Sequence, residues 1–156
     1  MKRVLFVCLG NICRSPLAEG LFTQKLIEKG LQSKYKVDSA GTSDYHIGEL
    51  PDERTRENAE QNGLKLNHRG RQFSIDDFRH FDLIVTMDQS NLEKVLSQCR
   101  NKNDAAKVIL MRHYESDQSL KNTDVPDPYY GGEKGFQNVY DILDRTTENL
   151  LEELER

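Results

Sequence analysis

Four short apolar or β-branched runs punctuate the chain, from Val4 to Val7, Tyr35 to Ser39, Leu83 to Met87 and Val108 to Met111, and each reads as a buried strand. Between them lie segments with helical spacing and recognisable ends. Helices are predicted from Pro16 to Lys29, stopped by Gly30; from Asp52 to Asn62, stopped by Gly63; from Ser74 to Arg79; and from Gln89 to Gln98 behind Asp88. A last helix is expected from about Gly135 to the carboxyl end. Strands separated by helices join through right-handed crossovers, so the pattern predicts an α/β fold whose parallel sheet is covered on both faces.

In such a sheet, ligands sit beyond the carboxyl ends of the strands. The first run leads straight into Cys8, Leu9, Gly10, Asn11, Ile12, Cys13 and Arg14, followed by Ser15 and Pro16, which read as the cap and first position of a helix. Five residues between Cys8 and Arg14 let the chain curl once, so that backbone N–H groups point at one anion with a helix N-terminus behind them. Gly10 and Asn11 are residue types that tolerate positive φ, which a tight curl needs. Arg14 closes the ring with a planar fork suited to phosphoryl oxygens. A helix N-terminus and a nearby arginine are also the features that favour a thiolate, the nucleophilic form of cysteine. The segment reads as a phosphate site containing a nucleophile.

A second segment, Val125, Pro126, Asp127, Pro128, Tyr129, Tyr130, Gly131 and Gly132, holds an acid on a proline-stiffened loop beside aromatic rings. Asp-Pro alone is ordinary turn chemistry. A thiolate that attacks a phosphate ester, however, needs a carboxyl group to protonate the departing oxygen.

Composition narrows the class. The chain has 156 residues, 36% hydrophobic and 31% charged, with its apolar residues gathered into runs, as expected of one soluble domain spanning 1–156. A net charge of −4, without a stripe of Lys and Arg interleaved with aromatics, argues against nucleic acid as a partner. Arg54, Arg56, Arg69 and Arg71 read as a solvated face. No stretch reaches the apolar length of a membrane helix, and Met1, Lys2 and Arg3 run directly into a strand, so the cytoplasm is the expected location. Three cysteines, an odd number, fit a reducing compartment, and neither they nor the four scattered histidines have zinc spacing.

Cys8 through Pro16, Asp38 through Thr42, Met87 with Asp88, and Asp127 through Tyr130 together resemble the low-molecular-weight protein tyrosine phosphatases, in order and across the whole chain. The resemblance implies a single domain with a four-stranded parallel sheet, flavodoxin-like in topology. It implies Cys8 as nucleophile through a phosphocysteine intermediate, Arg14 with the amides of residues 9–15 as the phosphoryl cradle, and Asp127 as general acid and then base. Ser15 would bond the thiolate, and Asn11, Ser15, Ser39 and His68 would form the supporting network. Tyr45, Tyr129 and Tyr130 would wall the substrate ring, favouring phosphotyrosine proteins and small aryl phosphates over a short aliphatic phosphoester. No metal or cofactor is required, because the loop amides and Arg14 supply the positive field. A monomer is expected.

Cys13, five residues after Cys8, is a candidate to trap the oxidised nucleophile as a reversible disulfide. Two alternatives differ in what they require. An arsenate reductase of this type passes oxidation equivalents through two further cysteines after the third strand, where this chain has Cys99 alone. A non-catalytic phosphate-binding module needs neither thiolate nor acid, and a sugar-transport phosphocarrier has no use for Asp127 or the tyrosines.

Overall fold

The computed structural model describes residues 1–156, apart from the side chain of Tyr130. Its centre is β1 (Lys2–Cys8), which pairs in parallel along its whole length with β2 (Tyr35–Gly41) and, from Val4 to Val7, with β3 (Leu83–Thr86). β4 (Val108–Leu110) adds to β3, giving the all-parallel order β2-β1-β3-β4. The expected α/β sheet is present.

Alternation along β1 explains why both of its faces are apolar. Val4, Phe6 and Cys8 enter one core with Leu17, Leu21 and Phe22 of α1 (Arg14–Glu28) and Val139, Leu143 and Leu150 of α6 (Gly132–Leu154). Leu5 and Val7 enter the other with Phe73, Phe78, Phe81 and Ile84. The chain passes from β1 to β2 on one side and then crosses to β3 on the other. The sequence direction therefore reverses between β1 and β3, and that switch point opens a crevice at their carboxyl ends. Cys8 ends one of these strands and Asp88 follows the other.

Several helix ends depart from expectation. α1 begins at Arg14 with Cys13 at its N-cap and no side-chain cap, so Ser15 and Pro16 lie inside the first turn instead of capping it. The Ser15 hydroxyl is turned instead toward Cys8 Sγ and Asn11 Nδ2. α2 (Glu53–Gln61) is capped by Asp52, whose side chain accepts from the Arg54 N–H. α3 is a single turn, Asp77–His80. α4 (Gln89–Leu96) stops at Leu96, itself exposed, which leaves Cys99 beyond the helix and packed at the edge of the second core. α5 (Lys102–Ala106) has only five residues, too few for a periodic signal, and rests on the Asn101 side chain accepting from the Asp104 N–H.

Candidate active site

The Cys8–Arg14 loop is shaped from outside. The carbonyls of Cys8, Leu9 and Ile12 accept from the N–H groups of Thr42, Ser43 and Asp52 at 2.9, 2.9 and 2.7 Å. A trans peptide points its C=O and the following N–H in opposite directions, so each carbonyl drawn outward turns the next amide inward. Asn11 sits at φ 57°, the left-handed conformation that completes the curl. Its own N–H points at Cys8 Sγ, 3.3 Å away. Gly41 is required where β2 passes behind the loop, because a Cβ there would lie 2.7 Å from the Leu9 carbonyl oxygen and 3.1 Å from the Asn11 nitrogen.

Cys8 Sγ also lies 3.0 Å from Ser15 Oγ. Asn11 Nδ2 donates to Ser15 Oγ and Ser39 Oγ at 2.8 and 3.0 Å. Its Oδ1 accepts from the Arg71 N–H and lies 2.8 Å from His68 Nε2. Because Oδ1 can only accept, Nε2 carries a proton. The network proposed from the sequence is thus connected through Asn11 as a single unit, with Ser39 donating onward to Glu19 at 2.6 Å. Burial, with Asp38 close by, pushes the Glu19 carboxyl up to about 7 against the pull of the Ser39 hydroxyl and Arg71.

Among the described residues, Glu19, Asp38 and His68 form one group able to hold a metal, with ligand atoms within 4.8 Å of one another. Each is already engaged. His68 Nδ1 faces Glu19 at 3.1 Å, Ser39 bonds Glu19, and Arg71 bonds Asp38 at 2.9 Å. The three groups are thus held by one another, by Ser39 and by Arg71, while burial lowers the pKa of the His68 imidazole and raises that of the Glu19 carboxyl.

Arg14 is almost wholly buried, at 4% exposure. Its Nη1 donates to Asp88 Oδ2 at 2.7 Å and to the Val125 carbonyl at 2.9 Å, tying it to the switch point and to the acid segment. Burial works against its charge, but Cys8, Asp88 and Asp127 around it hold its pKa above the usual guanidinium value. Met87 with Asp88 and the segment from Val125 stood out in the sequence, but the pairing of each with Arg14 joins distant parts of the chain.

Cys8, Leu9, Gly10, Ile12, Cys13, Arg14, Tyr45, Asp127 and Tyr129 line one cleft of about 290 Å³, together with His46. His46 belongs to no motif in the sequence. It stacks its ring edge over Gly10 and pairs with Glu49 at 2.7 Å. Asn11 and Ser15 lie beneath the floor, with Ser39 and His68 behind them. Asp127 Oδ1 accepts the Tyr129 N–H at 3.0 Å, an Asx turn that fixes its carboxylate on the loop. The Tyr130 side chain, expected in the wall, lies outside the described residues.

Cys13 is buried at the N-cap. Burial, with Asp52, Cys8 and Asp127 nearby, pushes its thiol up to about 12 against the pull of the Thr55 hydroxyl. Cys99 does not line the cleft. Of the four arginines read as a solvated face, Arg71 is held by Asp38 and Asp77, and Arg54 lies over two aromatic rings.

Sequence comparison matches residues 3–156 to the family described as low molecular weight phosphotyrosine protein phosphatase. The chain is 42% identical over 153 residues to the low molecular weight phosphotyrosine protein phosphatase of Gallus gallus, covering 97% of this chain and 95% of that one. The crystal structure of a protein tyrosine phosphatase from Entamoeba histolytica superposes with a TM-score of 0.93 at 42% identity, over 99% and 97% of the two chains. A Drosophila arginine phosphatase superposes with a TM-score of 0.91 at 34% identity, over 100% and 99%.

Proposed function

The chain belongs to the low molecular weight phosphotyrosine protein phosphatase family, and on that premise we propose that it hydrolyses phosphotyrosine and aryl phosphate monoesters through a phosphocysteine intermediate. The single observation that carries the mechanism is the placement of Cys8, Arg14 and Asp127 on one cleft.

Cys8 Sγ attacks phosphorus as the bond to the phenol oxygen breaks. The charge on the transferring oxygens falls to the inward amides of the loop and to the edge of Arg14 not anchored by Asp88. Asp127 delivers its proton to the departing phenolate. In the second half, water attacks the phosphocysteine, Asp127 takes a proton from it, and the sulfur leaves as thiolate. Ser15 Oγ and the Asn11 N–H, both aimed at Sγ, stabilise the sulfur each time it carries charge. Tyr45 and Tyr129 rise from the rim as aromatic walls, so a flat aryl ester reaches the floor where a phosphoserine side chain is too short.

Cys13 acts as a resolving thiol that captures oxidised Cys8 as a disulfide. One domain, 1–156, carries the whole site, which supports action as a monomer. Three free thiols and the need to keep Cys8 reduced support a cytoplasmic location.

The test is steady-state hydrolysis of phenyl phosphate and of a phosphotyrosine peptide, in chelator and reductant, by wild type, Cys8→Ser and Asp127→Asn. Turnover abolished by Cys8→Ser and strongly lowered by Asp127→Asn is expected. A phosphoarginine peptide provides the comparison arm, and its preferential turnover would transfer the substrate assignment to the activity named for the Drosophila neighbour.

A further inference from the structure

Resting on the reading of Asp127 as the general acid, we propose that Arg54 is a positioning residue that holds the acid loop at a fixed distance from the phosphate loop. The link begins in the phosphate loop. Ile12 offers its carbonyl to the Asp52 N–H at 2.7 Å. The Asp52 carboxylate then takes Arg54 three times: Oδ1 accepts from its backbone N–H at 2.8 Å and its Nε at 3.2 Å, and Oδ2 accepts from Nη2 at 3.2 Å.

That paired fork leaves Nη1 facing the other way, where it donates to the Tyr129 carbonyl at 3.3 Å. Tyr129 in turn donates its N–H to Asp127 Oδ1 at 3.0 Å. One residue of the acid loop is therefore gripped at both ends of its backbone, by Arg54 on the carbonyl and by the catalytic carboxylate on the amide. The guanidinium also lies 4.8 Å from the Tyr129 ring and 4.9 Å from that of Phe136, the latter buried at the start of α6. Sandwiched in this way, it fixes both the ring that walls the cleft and the peptide that aims the acid. A planar guanidinium stacks between the rings while bonding Asp52 and the Tyr129 carbonyl at once, whereas a lysine point charge has no planar fork to do all of these together.

Arg54 is 45% exposed in its side chain and sits in the first turn of α2, so its removal leaves the cores untouched. The expected defect is in proton delivery, which matters most when the departing phenol is a poor leaving group. The experiment is kcat/KM, which reports the first transfer, for a series of aryl phosphates from phenyl to nitrophenyl esters, in wild type, Arg54→Ala, Arg54→Lys and Asp127→Asn. Melting temperatures and inhibition by inorganic phosphate are measured alongside. Arg54→Ala should lose about 10-fold with phenyl phosphate and less than about threefold with the nitrophenyl ester, with phosphate inhibition retained. Arg54→Lys should follow Arg54→Ala. A uniform loss across the series, or full recovery by lysine, overturns the proposal. An Asp127→Asn series as flat as wild type would instead remove the general-acid reading on which it rests.

Discussion

Nη1 of Arg14 lies 2.7 Å from Oδ2 of Asp88, although the two residues are separated by 74 positions in the chain. The same carboxylate caps α4, its Oδ1 accepting the Asn91 N–H at 2.8 Å. Asp88 therefore anchors both a helix and the Arg14 guanidinium at the cleft.

Asp88→Asn separates these two tasks, because asparagine caps a helix as well as aspartate does but brings no charge to Arg14. The expected result is a fall of about 10-fold or more in kcat/KM with a raised KM, at nearly unchanged melting temperature. Asp88→Ala should lose about 1 kcal/mol of stability in addition. Steady-state kinetics paired with thermal unfolding checks both.

Asn11 combines a left-handed backbone with bonds to Ser15, Ser39, His68 and the Arg71 N–H. Replacement by alanine removes the bonds and strains the backbone, and replacement by glycine removes the bonds alone. Both variants should lose most of their activity, while Asn11→Gly unfolds with about 1 kcal/mol more stability than Asn11→Ala. Equal stabilities in urea would show that the positive φ carries no cost.

Gly41 is where β2 comes closest to the phosphate loop. Its alanine variant must displace the Leu9 carbonyl or the Asn11 nitrogen, since the new Cβ would stand 2.7 and 3.1 Å from them. A destabilisation of about 1–3 kcal/mol is expected, with weakened inhibition by inorganic phosphate. Unaltered phosphate inhibition would mean that the amides keep their positions without this packing.

The strands and the phosphate loop were legible because their signals are local. The apolar runs mark buried strands wherever they occur, and Cys8 through Arg14 builds its curl from its own residues. The same locality explains why Ser15 also reads as a helix cap. Its sequence context is that of a helix cap, yet the hydroxyl is 3.0 Å from Cys8 Sγ, so the site outcompetes the cap. Asp88, Glu19 and Arg54 act across the fold, and no spacing rule connects Arg54 in α2 to the Tyr129 carbonyl. His46 reaches the cleft from a loop whose path is set by Gly70, which has no room for a Cβ beside the His46 carbonyl.

Burial of Cys13 sets a pH dependence. With its thiol pushed up to about 12, Cys13 is protonated at neutral pH, and the thiolate that the proposed resolving role requires is scarce. The thiolate fraction rises about tenfold for each pH unit below that value. After a brief peroxide pulse, disulfide closure should therefore accelerate steeply from pH 7 to pH 9, as measured by alkylation and mass spectrometry. A rate independent of pH, or the loss of one thiol without a Cys8–Cys13 pair, would contradict a resolving role for Cys13.

In the proposed mechanism Cys8 carries the phosphoryl group. The most direct test mixes wild-type protein with an aryl phosphate, quenches in acid within milliseconds and maps phosphate on the peptide containing Cys8, alongside the burst of released phenol. A near-stoichiometric burst with phosphate on the Cys8 sulfur is the expected result. Steady turnover with no burst and an unmodified Cys8 peptide would contradict the mechanism and return Cys8 to a structural part of a phosphate-binding loop.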